Sequence, residues 1–392
     1  MVMSGMQQRS RWRAMAARTL RAAPALLALV FSTSACSNTA NNDAFSVTQV
    51  AKFEQPWAMA FLPDGRLLVS EKRGALMLVS QDGTSTEVAG IPEVNFGGQG
   101  GLGDVVLHPA YADNGLVYIS YAEQGEGGSG AAVARGRLEL HEGSATLTGL
   151  EIVWRQAPKM SGQGHYGHRI AFGPEGYLWI SSGDRQKFDP AQDMQGNLGK
   201  ILRLNDDGTV PAENPFAAQG GVSAQIWSLG HRNPLGLAFE DSGQLWVVEM
   251  GPKHGDELNL VAKGANYGYP IVSDGDHYDG TEIPDHATRP EFEAPALVWT
   301  PAISPSSMIF YGGGQFPQWR GNALIGGLSS KSLVRVEVDG KTAREVQRFD
   351  MGERIRAVAE APDGTLWLLE DGKNAGAGHL LKLTAPDPSA PG

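Results

Sequence analysis

Two histidines stand together in residues 162–169, Gly-Gln-Gly-His-Tyr-Gly-His-Arg, immediately before a predicted strand. His165 lies at the end of a loop, outside the alternation of the strand, where a rigid scaffold could present an imidazole as a general base. His165 and His168 could instead be metal ligands, although no third His or Cys is close in sequence. A histidine hydrogen-bonded to backbone in a turn is about as compatible with this segment alone.

Two further loops carry polar side chains that could contact a ligand. Gln99 is the long polar side chain of residues 95–103, Asn-Phe-Gly-Gly-Gln-Gly-Gly-Leu-Gly, whose glycines would let backbone approach a ligand closely. A flexible turn is the plainer interpretation of that loop. Arg232 and Asn233 precede Pro234; the arginine could hold an anion or stabilise a developing negative charge. Asn233 could simply cap an Asn-Pro turn.

Two other segments indicate ionic ligands. Residues 249–259, Glu-Met-Gly-Pro-Lys-His-Gly-Asp-Glu-Leu-Asn, offer turned-out carbonyls and carboxylates, the ligands that hard cations prefer. They lack the spacing of an EF-hand, and an acidic surface loop is the alternative. Arg354 and Arg356 lie two apart on a predicted strand and therefore share a face. Because like charges so placed repel, the pair indicates a polyanionic partner or else two surface acids.

A repeated phrase predicts the elements that position these loops. It reads apolar-x-Phe-x-Pro-x-Gly-x-Leu followed by apolar residues, and each copy is typical of a strand, an Asp-Gly-like turn and a second strand. Six copies, each spaced for one four-stranded blade, predict an all-β fold, a six-bladed β-propeller. The copies cover residues 58–69, 104–120, 169–180, 235–248, 308–326 and 356–369.

The beginning of the chain differs in composition from the rest. Residues 1–36 contain five arginines and no acidic residue, and their apolar run over 22–30 is too short to span a bilayer. This order predicts a secretory signal peptide and a periplasmic or exported protein. Cys36, the only cysteine, stands where a lipoprotein signal places its lipidated cysteine, so an outer-membrane lipoprotein is the alternative to simple cleavage. We expect a linker over 37–46, the propeller over 47–384 and a flexible tail over 385–392.

The charge balance narrows the classes of partner. The chain has 43 acidic and 32 basic residues, and five of the basic ones lie in the predicted signal peptide. An acidic body disfavours nucleic acid as a partner and is compatible with calcium and with small neutral substrates. With 392 residues, of which 41% are hydrophobic, the chain can bury a large core without disulfide staples.

Taken together and in this order, these segments resemble the family of PQQ-dependent soluble glucose and aldose sugar dehydrogenases, from about Pro56 to Leu383. The shared motifs are the glutamine loop, His-x-Gly-x-Arg, Arg-Asn-Pro-x-Gly, Gly-Pro-x-x-x-Asp-Glu and Arg-x-Arg. Members of the family are six-bladed propellers whose PQQ lies over the central channel and is carried by calcium. The resemblance implies oxidation of the anomeric carbon of aldose sugars to lactones, with electrons passed to a quinone, a cytochrome or another acceptor.

The resemblance also implies roles for individual residues. His165 matches the catalytic base. The residues implied at the cofactor are Gln99, Arg232, Asn233, Tyr278, Ala302, Lys331, Arg354 and Arg356. The residues implied at calcium are Gly251 and Pro252, through their carbonyls, and Glu257 with Tyr267 at a further site.

Two departures from the family pattern bear on specificity and cofactor binding. Gly164 stands where glucose-specific members carry an acidic residue, which predicts a broad range of aldoses. Ser329 stands in the place of a cofactor-binding lysine, and Lys331 is the candidate substitute.

Two rival functions belong to other classes. A calcium-dependent propeller hydrolase of lactones or phosphoesters would need a central ring of carboxylate and Asn ligands, whereas this chain has arginines and glutamine there. A non-catalytic binding propeller would retain the fold alone.

Overall fold

The predicted hairpins are all present in the computed structural model, which describes residues 40–42, 44–372 and 378–386. Each repeated phrase forms the first two strands of an antiparallel sheet or half-sheet. The turn chemistry accounts for this, since Gly65 and Gly364 adopt φ of 87° and 77°, which other residues rarely adopt. Beside them, the carboxylates of Asp64 and Asp363 accept backbone N–H groups two residues ahead.

Strands are the main regular secondary structure of the described part of the chain. In chain order the strands are β1 Ala40–Asn42, β2 Phe45–Phe53, β3 Pro56–Phe61, β4 Leu67–Glu71, β5 Ala75–Val79, β6 Ser85–Ala89, β7 Leu102–Leu107, β8 Leu116–Gly125, β9 Gly128–His141, β10 Ser144–Arg155, β11 Gly167–Phe172, β12 Leu178–Ser182, β13 Lys200–Leu204, β14 Ile226–Leu229, β15 Pro234–Phe239, β16 Leu245–Glu249, β17 Asp256–Leu260, β18 Leu297–Trp299, β19 Pro305–Phe310, β20 Ala323–Gly327, β21 Ser332–Asp339, β22 Thr342–Asp350, β23 Ile355–Glu360, β24 Leu366–Glu370 and β25 Gly378–Thr384.

Helix is confined to short turns. One α-helical turn, α1, covers Tyr111–Asn114, and the 3₁₀ turns cover Asp189–Ala191, Ala217–Gln219, Ser223–Gln225, His286–Thr288 and Pro317–Trp319. Among the described residues, no helix has the length and apolar character that a bilayer crossing requires.

The strands form meandering antiparallel sheets. Three sheets contain four consecutive strands each, namely β11–β14, β15–β18 and β19–β22. An eight-stranded sheet joins β3–β6 to β7–β10 through a parallel pairing of β6 with β10, in which Val88 faces Ala145 and Ala89 faces Thr146. The fifth sheet has the order β1-β2-β25-β24-β23, so that β2 completes a sheet made from the C-terminal strands.

The first strands of the hairpins lie side by side in a closed ring. β3, β7, β11, β15, β19 and β23 each contact the next, and β23 contacts β3. This radial arrangement is that of a β-propeller. Each of these strands has a register shift near its start, as between Pro56 and Ala58 or between Ile355 and Ala357. Such bulges turn side chains out of the pleat, and here they do so at one edge of the ring.

A buried ion pair ties neighbouring strands together at the centre of the ring. The Arg169 guanidinium contacts the Asp104 carboxylate at 3.1 Å and lies 4.1 Å from the centre of the Trp57 ring. It also donates to the carbonyls of Leu235 and Ser306, both at 2.5 Å. Five strands of the ring, β3, β7, β11, β15 and β19, are therefore linked beneath the edge that carries the candidate site residues.

The predicted boundary of the propeller differs from the observed one. The expected linker over 37–46 contains β1, which pairs with β2, and the start of β2, which pairs with β25. Phe45 is 1% exposed and packs edge-on against Trp319 and Phe349. The predicted signal peptide, with Cys36, and most of the predicted tail lie outside the described residues.

Candidate active site

Two neighbouring cavities open at the edge of the ring where the first strands begin. The central cavity has a volume of about 420 Å³, and the side cavity about 290 Å³. The central cavity is lined by Gln55, Trp57, Lys72, Gly98, Gln99, Tyr166, Gly167, His168, Leu235, Met250, Ser304, Leu328, Arg354, Arg356 and Asp371. The side cavity is lined by His165, Gln186, Phe188, Arg232, Pro252, Tyr269, His277, Tyr278 and Asp279.

The central cavity carries more positive than negative charge. Arg354 and Arg356 do share a face, as predicted, and both donate through Nε to the carboxylate of Asp371, at 2.7 and 2.6 Å. Burial opposes ionisation of Asp371, but the two arginines lower the pKa of its carboxyl. Lys72 adds a third cation; burial and the nearby Arg356 lower its pKa, and its Nζ donates to the Gly98 carbonyl at 2.7 Å. One carboxylate facing three cations leaves a site suited to an anion.

The remaining walls of the central cavity combine aromatic and apolar side chains with four polar ones, those of Gln55, Gln99, His168 and Ser304. Trp57, Tyr166, Leu235, Met250 and Leu328 lie around the cationic groups. Flat apolar walls together with convergent charged groups are typical of sites for planar, charged small molecules. The arginine pair therefore contacts one buried acid, rather than the two surface acids considered from the sequence, and borders a cavity able to receive an anion.

The surroundings of His165 suit its imidazole to act as a general base. Its Nδ1 lies 2.6 Å from Oδ1 of Asp184, a side chain that is fully buried. Because a carboxylate can only accept, this contact places the proton on Nδ1 and leaves Nε2 as the basic atom of the neutral ring. Burial lowers the pKa of His165, partly opposed by the hydrogen bond to Asp184 and reinforced by the charge of Arg232. The imidazole is therefore neutral and able to take a proton at neutral pH.

The loops around His165 are held in strained conformations. His165, Arg185, Gln186 and Phe188 all have positive φ, between 46° and 66°. Such backbone persists only where neighbouring contacts impose it, and it clusters at functional sites. Arg185 supplies much of that constraint. It is 1% exposed, donates to the carbonyls of Gly164 and Gly162, and lies 3.7 Å from the centre of the Tyr166 ring.

Arg232 and Asn233 lie beside His165 and are buried. The Arg232 guanidinium donates to the carbonyls of Met250 and Gly251, at 3.0 and 2.6 Å, and its backbone N–H donates to Glu249. Neither polar atom of the Asn233 side chain has a hydrogen-bond partner among the described residues. A buried amide without partners is costly, and it is typical of a site that is completed by a ligand or water.

Gln99 lines the central cavity, and Tyr278 lines the side cavity. Gln99 accepts the backbone N–H of His165 through Oε1 at 2.8 Å, so the glycine loop fixes the position of the base. Tyr278 is 75% exposed, with the Arg232 guanidinium 6.0 Å from the centre of its ring. Each residue therefore lines a cavity, and contact of either one with a cofactor stays a prediction.

His168 occupies a different environment from His165. It is 3% exposed, stacks on Tyr166 with ring centres 5.1 Å apart, and has no hydrogen-bond partner for either nitrogen among the described residues. Burial, with the charge of Arg185 next, lowers its pKa to about 3. It lacks the carboxylate that orients His165.

A second cluster contains Glu257, one of the predicted calcium residues. Glu257, Asp274 and His286 place ligand atoms within 4.8 Å of one another. His286 Nε2 lies 3.0 Å from the carbonyl oxygen of Tyr267, so Tyr267 borders this cluster. Burial, and then the charge of Glu249, raise the pKa of Glu257 to about 8. An oxygen-rich cluster with a carboxyl of raised pKa is suited to a hard cation, which would restore the carboxylate.

The other two predicted calcium residues, Gly251 and Pro252, lie at the border of the cavities, and both are buried. The Gly251 carbonyl accepts the Arg232 guanidinium. A cation could bind that carbonyl oxygen only if the Arg232 guanidinium moved away or shared the oxygen with the cation.

Three predicted cofactor residues line neither cavity: Asn233, Ala302 and Lys331. Lys331 points its Nζ at the Gly352 carbonyl, 2.8 Å away, with Glu353 at 3.9 Å. The Ala302 carbonyl accepts the hydroxyl of Ser329. The lysine that the structure places at the central cavity is Lys72.

Several functional candidates were not found from the sequence: Lys72, Asp184, Gln186, Asp274, His286 and Asp371. Lys72, Asp184 and Asp371 share a signal, because each follows the second strand of a hairpin by one or two residues. In an antiparallel hairpin the second strand ends where the first begins, so these side chains return to the edge that carries the site.

Comparison with known proteins agrees with this geometry. The model of the Glucose / Sorbosone dehydrogenase family matches residues 53–382. Aldose sugar dehydrogenase YliI of Escherichia coli (strain K12) is 40% identical over 343 residues, covering 85% of this chain and 91% of that protein.

Two solved structures are similar in both fold and sequence. The apo-form of the soluble aldose sugar dehydrogenase from Escherichia coli has a TM-score of 0.81 at 39% identity, covering 87% of this chain and all of that one. The PQQ-bound aldose sugar dehydrogenase of Streptomyces coelicolor has a TM-score of 0.72 at 30% identity, covering 88% of this chain and all of that one. The chain therefore belongs to the glucose/sorbosone dehydrogenase family.

Proposed function

We propose that this protein is a PQQ- and calcium-dependent aldose dehydrogenase that oxidises the anomeric carbon of aldoses to lactones. The observation that carries the proposal is the His165–Asp184 pair, a neutral buried base at 2.6 Å from its carboxylate, next to a cationic cavity. The similarity to a PQQ-bound aldose sugar dehydrogenase supports the cofactor. We also propose six blades, since the halves of the eight-stranded sheet are joined by only one short parallel pairing.

The residues of the central cavity suit PQQ, a flat tricyclic quinone with three carboxylates. Arg354, Arg356 and Lys72 would hold its carboxylates, because guanidinium groups bind carboxylates bidentately and the ammonium adds a point charge. Trp57 and Tyr166 would contact its ring faces. The chemistry that PQQ supplies when bound, with calcium polarising its carbonyl, is acceptance of a hydride from the sugar carbon.

The protein itself moves the proton. Nε2 of His165 would accept the proton of the anomeric hydroxyl, while Asp184 keeps the ring oriented and stabilises the imidazolium that forms. Gln99 fixes the backbone of His165 through its amide oxygen. Arg232 and the unpartnered amide of Asn233 would stabilise negative charge that develops beside the base.

A direct assay tests the proposed function. Purified protein would be incubated with PQQ and calcium, and aldose-dependent reduction of an artificial dye acceptor would be followed, with PQQ or calcium omitted in turn. We expect reduction only with both present. Hydrolysis of lactones or phosphoesters without dye reduction would favour the hydrolase, and no activity of either kind would favour a binding propeller.

Export and the electron acceptor are further parts of the proposal. The composition of residues 1–36 supports a periplasmic location, with Cys36 as the candidate lipid anchor. Fractionation of cells that express the parent chain or Cys36→Ala would show whether the protein is exported and whether it stays at a membrane. Oxidised cytochrome or quinone added to the assay in place of the dye would identify the class of acceptor.

The pH dependence should report the lowered pKa of His165. Because only the neutral imidazole is a base, kcat/KM should fall as pH drops below the ordinary histidine range and stay level from there to neutral pH. Asp184 raises that pKa, so Asp184→Asn should lower kcat and move the acid limb to lower pH. Profiles measured from about pH 4 to pH 9, with Asp193→Asn on the same loop as control, would check this. A limb that moves to higher pH in Asp184→Asn would contradict the assignment.

Calcium should stabilise the protein through Glu257. A cation that binds only the folded state adds RT ln(1 + [L]/Kd), about 2.7 kcal/mol at 100 times Kd. Calcium added to chelator-treated protein should therefore raise the free energy of unfolding, and Glu257→Gln should remove most of the gain. Glu282→Gln, an exposed acid, should keep it. A calcium response that survives Glu257→Gln would place the stabilising ion elsewhere.

A further inference from the structure

Gln186 is a polar side chain of the side cavity to which the proposed chemistry assigns no role. Arg232 is engaged with two backbone carbonyls, and Asp279 accepts the backbone N–H of Thr281. Gln186 also lines this cavity beside His165, and its side chain is exposed to it. Its carboxamide makes no hydrogen bond to any residue that the structure describes.

The backbone of Gln186 is fixed relative to the base. Its N–H donates to Oδ1 of Asp184 at 2.9 Å, and this same oxygen receives Nδ1 of His165 at 2.6 Å. Gln186 has φ of 58°, so its conformation is imposed by these contacts rather than preferred. One carboxylate oxygen therefore sets the positions of both His165 and Gln186.

The side chain of Gln186 uses the space that Gly164 leaves. A Cβ built on Gly164 would overlap the carboxamide of Gln186, so any side chain at position 164 would displace it. The glycine next to the base therefore does not leave the sugar side of His165 without a polar group. An amide from the following loop takes that place.

We propose that Gln186 is a specificity-determining residue that binds a hydroxyl of the aldose next to the carbon being oxidised. A carboxamide offers both a donor and an acceptor, so it can bind a hydroxyl that presents either its proton or its lone pair. It favours sugars that carry a hydroxyl there over deoxy sugars and discriminates little between epimers. This inference rests on the proposed function and names the residue that sets its substrate preference.

The test compares the parent with Gln186→Met, which keeps the length of the side chain and removes its hydrogen bonds. Kinetics would be measured on glucose, its epimers and a set of monodeoxy glucoses, using protein loaded with PQQ and calcium. Loss of one hydrogen bond predicts a roughly 3- to 10-fold lower kcat/KM on glucose. One deoxy sugar should lack the hydroxyl that Gln186 binds. On that sugar the kcat/KM of the parent should already be lower than on glucose, and Gln186→Met should lower it no further.

Two further variants isolate the carboxamide. Gly164→Ala should displace it without altering Gln186 and should lose the same hydroxyl preference. Gln195→Ala, an exposed glutamine on the same loop that lines neither cavity, should match the parent. Binding of glucose to the cofactor-free protein, followed by saturation-transfer NMR, should weaken in Gln186→Met and Gly164→Ala alike.

The outcomes separate this inference from the proposed function. A parent that oxidises aldoses, together with a Gln186→Met variant whose kcat/KM equals the parent's on every sugar, would overturn the role of Gln186 alone. An equal loss on all sugars, deoxy sugars included, would also overturn it, because that result indicates disturbance of His165. If the parent oxidises no aldose with PQQ and calcium, both the proposed function and the role of Gln186 are contradicted.

Discussion

Replacing His165 by alanine should lower kcat on aldoses by roughly 10²–10⁴-fold, the usual effect of removing a general base. The affinity for PQQ should change little, because His165 lines the side cavity rather than the central one. Steady-state kinetics with a dye acceptor and a separate titration of apoprotein with PQQ would measure the two effects. His141→Ala, a substitution of an exposed histidine, serves as control.

A His165→Ala rate close to that of the parent would remove His165 from the catalytic role. The sequence alone would then favour His168, but the structure gives His168 no carboxylate and holds its pKa near 3. We therefore expect substitution of His168 to act through packing against Trp57 and Tyr166, with a loss of stability rather than a change in the pH profile.

Arg356→Ala should weaken PQQ binding by about 1.5–3 kcal/mol, which is roughly 10- to 150-fold, the scale of a hydrogen bond to a charged group. Asp371 would lose one of its two arginines, so a modest fall in the stability of the apoprotein accompanies the effect. Lys72→Met should also weaken binding. Fluorescence titration with PQQ would give the dissociation constants, and thermal unfolding of the apoproteins would give the stabilities.

Lys331→Met is the informative control for that experiment. Its ammonium lies at Gly352 and Glu353, outside the central cavity, so PQQ affinity should equal that of the parent. Affinity lost in Lys331→Met but retained in Lys72→Met would restore the interpretation drawn from the sequence. An Arg356→Ala variant that binds PQQ as the parent does would show that the arginines serve only their ion pair with Asp371.

The fold was predictable because its signals are local. An Asp-Gly-like turn between apolar runs indicates each hairpin in the sequence. Gly65 has the positive φ that such a turn requires. The N-terminal boundary was not predictable in this way. Phe45 follows a polar stretch, and its partners Trp319 and Phe349 are remote in sequence, so the segment was expected to be a linker.

The candidate site residues also fall into two groups, those that a local sequence pattern indicates and those that only the fold brings together. His165, Arg232 and the arginine pair stand in short segments with unusual composition, which drew attention to them. Asp184 and Asp371 are single acids whose importance comes from partners 15 to 19 residues away. Lys331 was favoured by its closeness in sequence to the expected position, whereas the ring brings Lys72 to the cavity from another strand.

The pairing of β2 with β25 also has a consequence for how the protein folds. This contact joins Ser46 to Thr384 and Phe53 to Gly378, so it closes a loop of more than 300 residues. Closing such a loop costs on the order of 5 kcal/mol of chain entropy, which is repaid only when both strands are in place. The ring should therefore close late and slowly, as is general for folds with contacts between distant residues. Because the central cavity takes walls from all around the ring, its capacity to bind a ligand should appear only in that last kinetic phase.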